Sequence, residues 1–207
     1  MQTFIEFDDH LMNDKKPSNY FNELSKTGLF EVKYPYTFLG DLMKVPQSPK
    51  HHPEGSVWKH TMLVLDNAGE RKHLSQNPKV LMWSALLHDL GKASTTTITK
   101  GRITSYDHDK LGERLSGEFL KEFNCDDEFI NQVSKLVRWH MQILFVTKGL
   151  PFADIRRMAS EVSLDEVALL GLCDRLGRGN MTLDKKLVEE KGIITFLEKC
   201  HNYLKNG

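Results

Sequence analysis

The segment from Pro78 to Leu90 constrains the fold more than any other part of the chain, because it is apolar on every side yet closes on a histidine and a carboxylate. Val80, Leu81, Trp83, Ala85, Leu86 and Leu87 leave no polar face for solvent, so the segment reads as a central, buried helix that Gly91 ends. His88 and Asp89 lie in its last turn and are carried inside with it. A buried aspartate is costly unless it is paired or bound to a cation, so the doublet asks for a positive partner.

The flanking sequence supplies helices to surround that segment. Ser18 to Thr27 reads as a short helix stopped at Gly28, and the proline-punctuated stretch Tyr34 to Pro53 as extended coil. Ser56 caps a segment running to about Glu70, with Val57, Val64, Leu65 and Ala68 on one stripe and His60 in its first turns. β-Branched residues on both sides of Lys100-Gly101 predict a small hairpin over Thr95 to Tyr106, which delivers His108 to the next helix. Asp109 to Phe123 aligns Leu111, Leu115, Phe119 and Phe123; Asp126 to about Met141 aligns Ile130, Val133, Val137 and His140. Ser163 and Glu166 have the spacing of a capping box, opening a helix whose inward stripe is Val167, Leu170, Gly171 and Asp174. A last helix is expected over roughly Asp184 to Tyr203. The expected fold is all-α, a helical bundle with one hairpin near residues 95–106. One domain over 1–207 is expected, with its core at about 40–180 and with residues 1–40 and 184–204 packed on it.

Bulk properties narrow the function. Lysine plus arginine and aspartate plus glutamate both count 28, so no global basic field marks a dedicated nucleic-acid binder, and attraction to RNA or a nucleotide must come from a local patch or a metal. Cys125, Cys173 and Cys200 are too few and scattered for a disulfide framework and read as reduced packing thiols. No signal-like h-region and no run approaching the ~20 apolar residues of a membrane helix occurs, so no membrane contact and a cytoplasmic location are expected.

His60, His88, Asp89, His108, His140 and Asp174 each fall at a helix end or on an inward face. Nitrogen and oxygen donors without cysteine argue against a structural zinc knot and for an open site taking Mn²⁺, Fe²⁺, Ni²⁺, Co²⁺ or Mg²⁺. Asp89, with two oxygens beside His88, is the natural bridge if two ions bind. Taken singly, each residue has a plainer reading. His140 can be a satisfied core histidine, His108 can sit in a wet turn, and Asp174 can pair with Arg175 or Arg138. The joint pattern outweighs these.

The chain resembles the HD-domain metal-dependent phosphohydrolases, named for the doublet seen here as His88-Asp89. Within that superfamily it looks most like the HD domain of bacterial CCA-adding tRNA nucleotidyltransferases. Val45-Pro-Gln-Ser-Pro-Lys-His-His-Pro-Glu-Gly55, Trp58-Lys-His-Thr61, Ala85-Leu-Leu-His-Asp-Leu-Gly-Lys-Ala93, Gly101-Arg-Ile-Thr-Ser-Tyr106 and His108-Asp109 carry the match, which covers roughly residues 40–180. It departs from them in lacking a Gly-Ser closely followed by an Asp-x-Asp pair, so nucleotide addition is not expected. It also has Asp107 where many relatives have glycine, which bears on the turn presenting His108.

The resemblance implies hydrolysis of phosphomonoesters or 2′,3′-cyclic phosphodiesters of nucleotides or RNA ends by metal-activated water, with contact to tRNA. It assigns His60, His88, Asp89 and Asp174 to one ion, and His108 and His140, sharing Asp89, to a second. Lys92 has two even readings, a phosphate-binding catalytic point charge or a solvated lysine at a helix C-terminus. Arg175 and Arg178 are candidate phosphate or ribose contacts, and His52 and Glu54 candidate lining for the mouth of the site. Arg156-Arg157 is a weaker candidate for an RNA backbone contact. The competing functions are an RNA- or tRNA-end-binding module without turnover and a hydrolase of a nucleotide second messenger of the ppGpp type.

Overall fold

The buried helix expected at the centre forms over Pro78–Leu87, opened by Asn77, whose side chain accepts a hydrogen bond from the Val80 N–H, and by Pro78 in the first turn. Every residue from Val80 to Leu87 is buried. The computed structural model describes residues 2–206. In chain order the elements are α1 (Gln2–Asn13), α2 (Pro17–Ser25), α3 (Leu29–Val32), α4 (Thr37–Leu42), α5 (Val57–Arg71), the central α6 (Pro78–Leu87), α7 (Lys92–Thr95), β1 (Thr96–Thr99), β2 (Arg102–Ser105), α8 (His108–Lys121), α9 (Asp127–Trp139), α10 (Gln142–Thr147), α11 (Ile155–Glu161), α12 (Leu164–Leu176) and α13 (Leu183–Asn206). Helices α1, α5, α9 and α12 pack on α6, α8 lies along α9, and α13 covers α10, α11 and α12. This is the all-α bundle the sequence predicts. No helix among the described residues is long and apolar enough to cross a membrane.

The hairpin has the register Thr96↔Ser105 to Thr99↔Arg102, closed by Lys100 (φ 50°) and Gly101 (φ 76°). Positive φ at both central residues makes the two-residue turn whose twist matches that of the strands. Asp107 also takes the left-handed conformation, at φ 57°, immediately before α8. Glycine is the residue best suited to that position. Here Asp107 adopts it with its carboxylate 2.7 Å from Lys110 Nζ.

Three sequence expectations are revised. The stretch from Tyr34 to Pro53 is not extended throughout: α4 forms within it, its Leu39 and Leu42 fully buried. A helix this short shows no periodicity and is held by packing. Helix α1 was not anticipated either. Its Phe7 and Leu11 are fully buried, and Phe7 contacts Phe21, Phe30, Tyr36 and Trp83, tying the N-terminal helices to α6. The capping box at α12 does not form. Ser163 makes no side-chain cap, and Glu166 instead accepts from Ser75 Oγ at 2.6 Å and the Gln76 N–H at 2.7 Å. A local motif has lost its carboxylate to a tertiary partner.

Gly91 sets how closely the end of α6 approaches α8. A Cβ there would lie 2.0 Å from the carbonyl oxygen of His108 and 2.9 Å from the amide nitrogen of Gly112, so any side chain must push the two elements apart. Gly91→Ala is expected to cost about 1–3 kcal/mol through overpacking. Gly192→Ala, in α13 with open space around it, is expected to add about 1 kcal/mol of helix propensity. Urea midpoints of the two variants check both signs.

Candidate metal centre

Six side chains converge where α5, α6, α8, α9 and α12 meet, each supplied by the end of an element. His60 is in the first turn of α5, His88 is the C-cap of α6 with Asp89 next to it, and His108 is the first residue of α8. His140 is the C-cap of α9, and Asp174 lies in the last turn of α12. All but Asp174 are buried. The Asp174 side chain retains 16 % exposure, which leaves the cluster open on that side.

Helix ends supply more than placement, because their last carbonyls have no partner in the helix. The Nδ1–H of His88 donates to the carbonyl of Ala85 (2.9 Å) and that of His140 to the carbonyl of Val137 (2.6 Å). His108 does the same to Ser105, the last residue of β2, at 2.7 Å. A carbonyl only accepts, so each Nδ1 carries a proton and each Nε2 is the ring nitrogen turned to the interior, open to a cation wherever it carries no proton. Those nitrogens face one another and a carboxylate. His108 Nε2 is 3.2 Å from His140 Nε2, and His88 Nε2 is 3.3 Å from Asp89 Oδ2.

Asp89 stands between two groups. Its Oδ2 faces His88 and, at 4.0 Å, His60 Nε2; its Oδ1 faces His108 Nε2 at 3.6 Å and His140 Nε2 at 4.0 Å. Both Asp89 oxygens and His88 Nε2 are buried without a hydrogen-bond partner among the described residues. Donor atoms of His60, His88 and Asp174 lie within 4.8 Å of one another, as do those of Asp89, His108 and His140. Electron-rich atoms at such separations repel unless cations lie among them. Imidazole and carboxylate donors without a thiolate suit a divalent ion of the Mn²⁺, Fe²⁺, Ni²⁺, Co²⁺ or Mg²⁺ kind. The residues present fit one such ion in each group.

Charge follows the same division. Burial opposes the charged form of His60, but the Asp174 carboxylate, 2.9 Å from Nε2, and Glu54 outweigh it and raise its pKa to about 9 in the metal-free protein. Burial and then the neighbouring His108 and His88 push His140 down to about 4, and burial also lowers His108. Burial alone would neutralise Asp89, yet His88 and Lys92 hold it well below the usual carboxylate range. His60 and Arg178 do the same for Asp174. Asp174 pairs with His60 and with neither arginine that the sequence offered. Arg138 binds Asp109, and Arg175 binds Glu189 of α13 at 2.5 Å.

Residues expected to line the mouth have more specific surroundings. Glu54 is buried, with Oε1 2.8 Å from His52 Nδ1 and 2.9 Å from His60 Nδ1, while Oε2 accepts the Gly179 N–H at 2.8 Å. Its hydrogen bonds are to His52 and the Gly179 amide, it lies at ion-pair distance from His60, and His52, Glu54 and His60 bring donor atoms within 4.8 Å of one another, a third group able to hold a cation. His52 stacks edge-on to His60. Lys92 Nζ forms an ion pair with Asp89 Oδ2 at 2.8 Å and donates to Gln47 Oε1 at 2.8 Å. It is thus not a solvated helix-end lysine. Arg178 is partly exposed and lies 3.8 Å from Glu189. Arg156 and Arg157 are exposed on α11, Arg157 bonding Glu161 at 3.1 Å. Sequence reasoning missed Gln47, which lies in the Val45–Gly55 stretch but has no charge to single it out, and Glu189, which lies in no motif.

The HD domain family model matches residues 57–179. The chain is 32 % identical over 139 residues to the multifunctional CCA protein of Haemophilus influenzae, covering 64 % of this chain and 31 % of that protein. It is 32 % identical over 124 residues to that of Methylococcus capsulatus, covering 60 % and 27 %. With the multifunctional CCA protein of Actinobacillus pleuropneumoniae it shares 40 % over 79 residues, covering 38 % and 19 %. The chain therefore spans less than a third of the length of these relatives.

Elemental analysis of the purified protein is expected to find one or two divalent ions per chain, lost in His88→Ala and Asp174→Ala. Glu54→Gln should retain the site but bind about 10–100-fold more weakly, the usual effect of removing a group that orients a ligating imidazole. The metal-stripped protein is expected to lose stability as pH falls from about 6.5 toward 4. In that window the unfolded chain protonates His140 while the folded chain, with His140 near 4, does not. His140→Gln should flatten that part of the stability curve, measured by denaturant titration after chelation.

Proposed function

The chain belongs to the HD domain family, a superfamily of metal-dependent phosphohydrolases, and on that premise we propose that it cleaves phosphomonoester or 2′,3′-cyclic phosphodiester bonds of nucleotides or RNA ends. The observation that carries this reading is Asp89, buried between two sets of imidazole nitrogens with Lys92 as its one close cation and no hydrogen bond to either oxygen among the described residues. His60, His88, Asp89 and Asp174 would hold one divalent ion, and His108 and His140, sharing Asp89, a second. Ions bound there would lower the pKa of water and offset the charge of phosphoryl oxygens.

The protein's own groups have distinct tasks around that chemistry. Asp89 supplies one oxygen to each donor group and so fixes their spacing. Glu54, buttressed by the Gly179 amide, holds the His60 ring in place. Lys92, three residues beyond Asp89 and 12 % exposed, is a point charge within reach of a nonbridging phosphate oxygen. Arg178 is the better placed of the two arginines for a substrate phosphate or ribose, because Arg175 is committed to Glu189. No serine or cysteine nucleophile belongs to the described cluster, which suits direct attack by water. A substrate at an RNA end is favoured by the similarity to multifunctional CCA proteins.

The test is hydrolysis of bis-p-nitrophenyl phosphate, p-nitrophenyl phosphate and 2′,3′-cyclic AMP with Mn²⁺, Ni²⁺ or Mg²⁺. Asp89→Ala should lower turnover about 100-fold or more, equivalent to about 2.7 kcal/mol of barrier, and Lys92→Gln about 10-fold. RNA binding that survives both chelator and Asp89→Ala, with no turnover of any ester, would overturn the hydrolase in favour of a binding module. Turnover confined to ppGpp would move the substrate to the second-messenger class.

A further inference from the structure

Helix α13 meets the rest of the chain mainly along one face, with Lys199 reaching the Val146 and Thr147 carbonyls at one border and Leu197 packed against the core at the other. Ile193, Phe196 and Cys200 are buried there, and Glu189 meets Arg175. Roughly a quarter turn away lies a second stripe, Leu183, Leu187, Glu190, Ile194, Leu197, His201 and Leu204, whose spacing alternates strictly between four and three. That is the period of a helix seam that supercoils against another helix. The seam is open: Leu183 is 74 % exposed, Leu187 48 %, Ile194 57 % and Leu204 40 %, with Leu197 half-buried. Along its solvent edge run Asp184, Lys191, Glu198 and Lys205, seven residues apart, exposed and alternating in sign. None of the four forms an ion pair within the described residues.

We propose that α13 pairs antiparallel with α13 of a second copy of this chain, giving a two-fold symmetric dimer. The occupant is chosen by self-complementarity. In one antiparallel register Leu187 meets Leu204 of the second copy and Ile194 meets Leu197, while the two polar seam residues, Glu190 and His201, meet each other. The same register brings Asp184 to Lys205 and Lys191 to Glu198, and the two-fold axis repeats every pair. A parallel pair would lose this. The charged edge would then face the edge containing Ile193 and Cys200, which are already buried in their own chain.

The experiment is the mass of the whole chain by light scattering after size exclusion, at about 100 μM, where a micromolar dimer is populated. Wild type is expected at twice the monomer mass. Lys191→Glu and Glu198→Lys should each halve it by placing like charges together, with unchanged helical circular dichroism because both positions are exposed. Mixing the two variants should restore the dimer, since each then meets an opposite charge at both sites. A monomeric wild type overturns the proposal. So does a dimer indifferent to both substitutions, which would use another surface, or a pair of monomeric variants that fails to recover on mixing, which would exclude the antiparallel register. Metal loading and ester hydrolysis do not enter the readout, so the outcome is independent of the function proposed above.

Discussion

A carboxylate buried to 1 % exposure, with neither oxygen hydrogen-bonded, is the constraint on which the rest of this molecule depends. Asp89 cannot be left alone in an apolar interior, since an unpaired buried charge costs several kcal/mol. The fold answers by closing the ends of four other helices around it. Lys92 gives partial compensation from one side. Protonated His60 compensates at Asp174, whereas His108 and His140, held neutral by burial, add lone pairs to the pocket that a cation would satisfy.

The histidines show how a bundle builds such a pocket economically. A helix end has carbonyls with no partner, and His88 and His140 each sit where the ring can donate to one three residues back. His108 finds the equivalent carbonyl at the end of the hairpin. One hydrogen bond thus does two things: it adds a donor to a carbonyl at the end of an element and fixes which ring nitrogen faces inward. His60 is held differently, with carboxylates at both nitrogens, which is why its proton is retained in the metal-free protein while that of His140 is expelled. His60 is thus bounded by acidic side chains, whereas His88, His108 and His140 are anchored to backbone.

The outer layer ties the site to the periphery. Glu54 joins the loop before α5 to the turn after α12 through Gly179, and Glu189 joins α13 to Arg175, next to Asp174. The C-terminal helix is thus linked to the site on one face and leaves a regular apolar seam on another.

Much of this was legible in the sequence, for local reasons. The apolar run before His88-Asp89, the Ser56 cap, the Lys100-Gly101 turn and the inward positions of His140 and Asp174 all follow from periodicity and turn chemistry within a few residues. The sequence alone determined an all-α bundle with donors at helix ends, and it identified the residues the structure brings together. It did not determine how they pair. That Glu54 braces His60, that Glu166 leaves its capping box for Ser75, that Arg175 serves Glu189 and that Lys92 lies on Asp89 were decided by tertiary packing. Ion pairs and hydrogen bonds between residues tens of positions apart carry no periodicity, because their geometry exists only after the helices have docked.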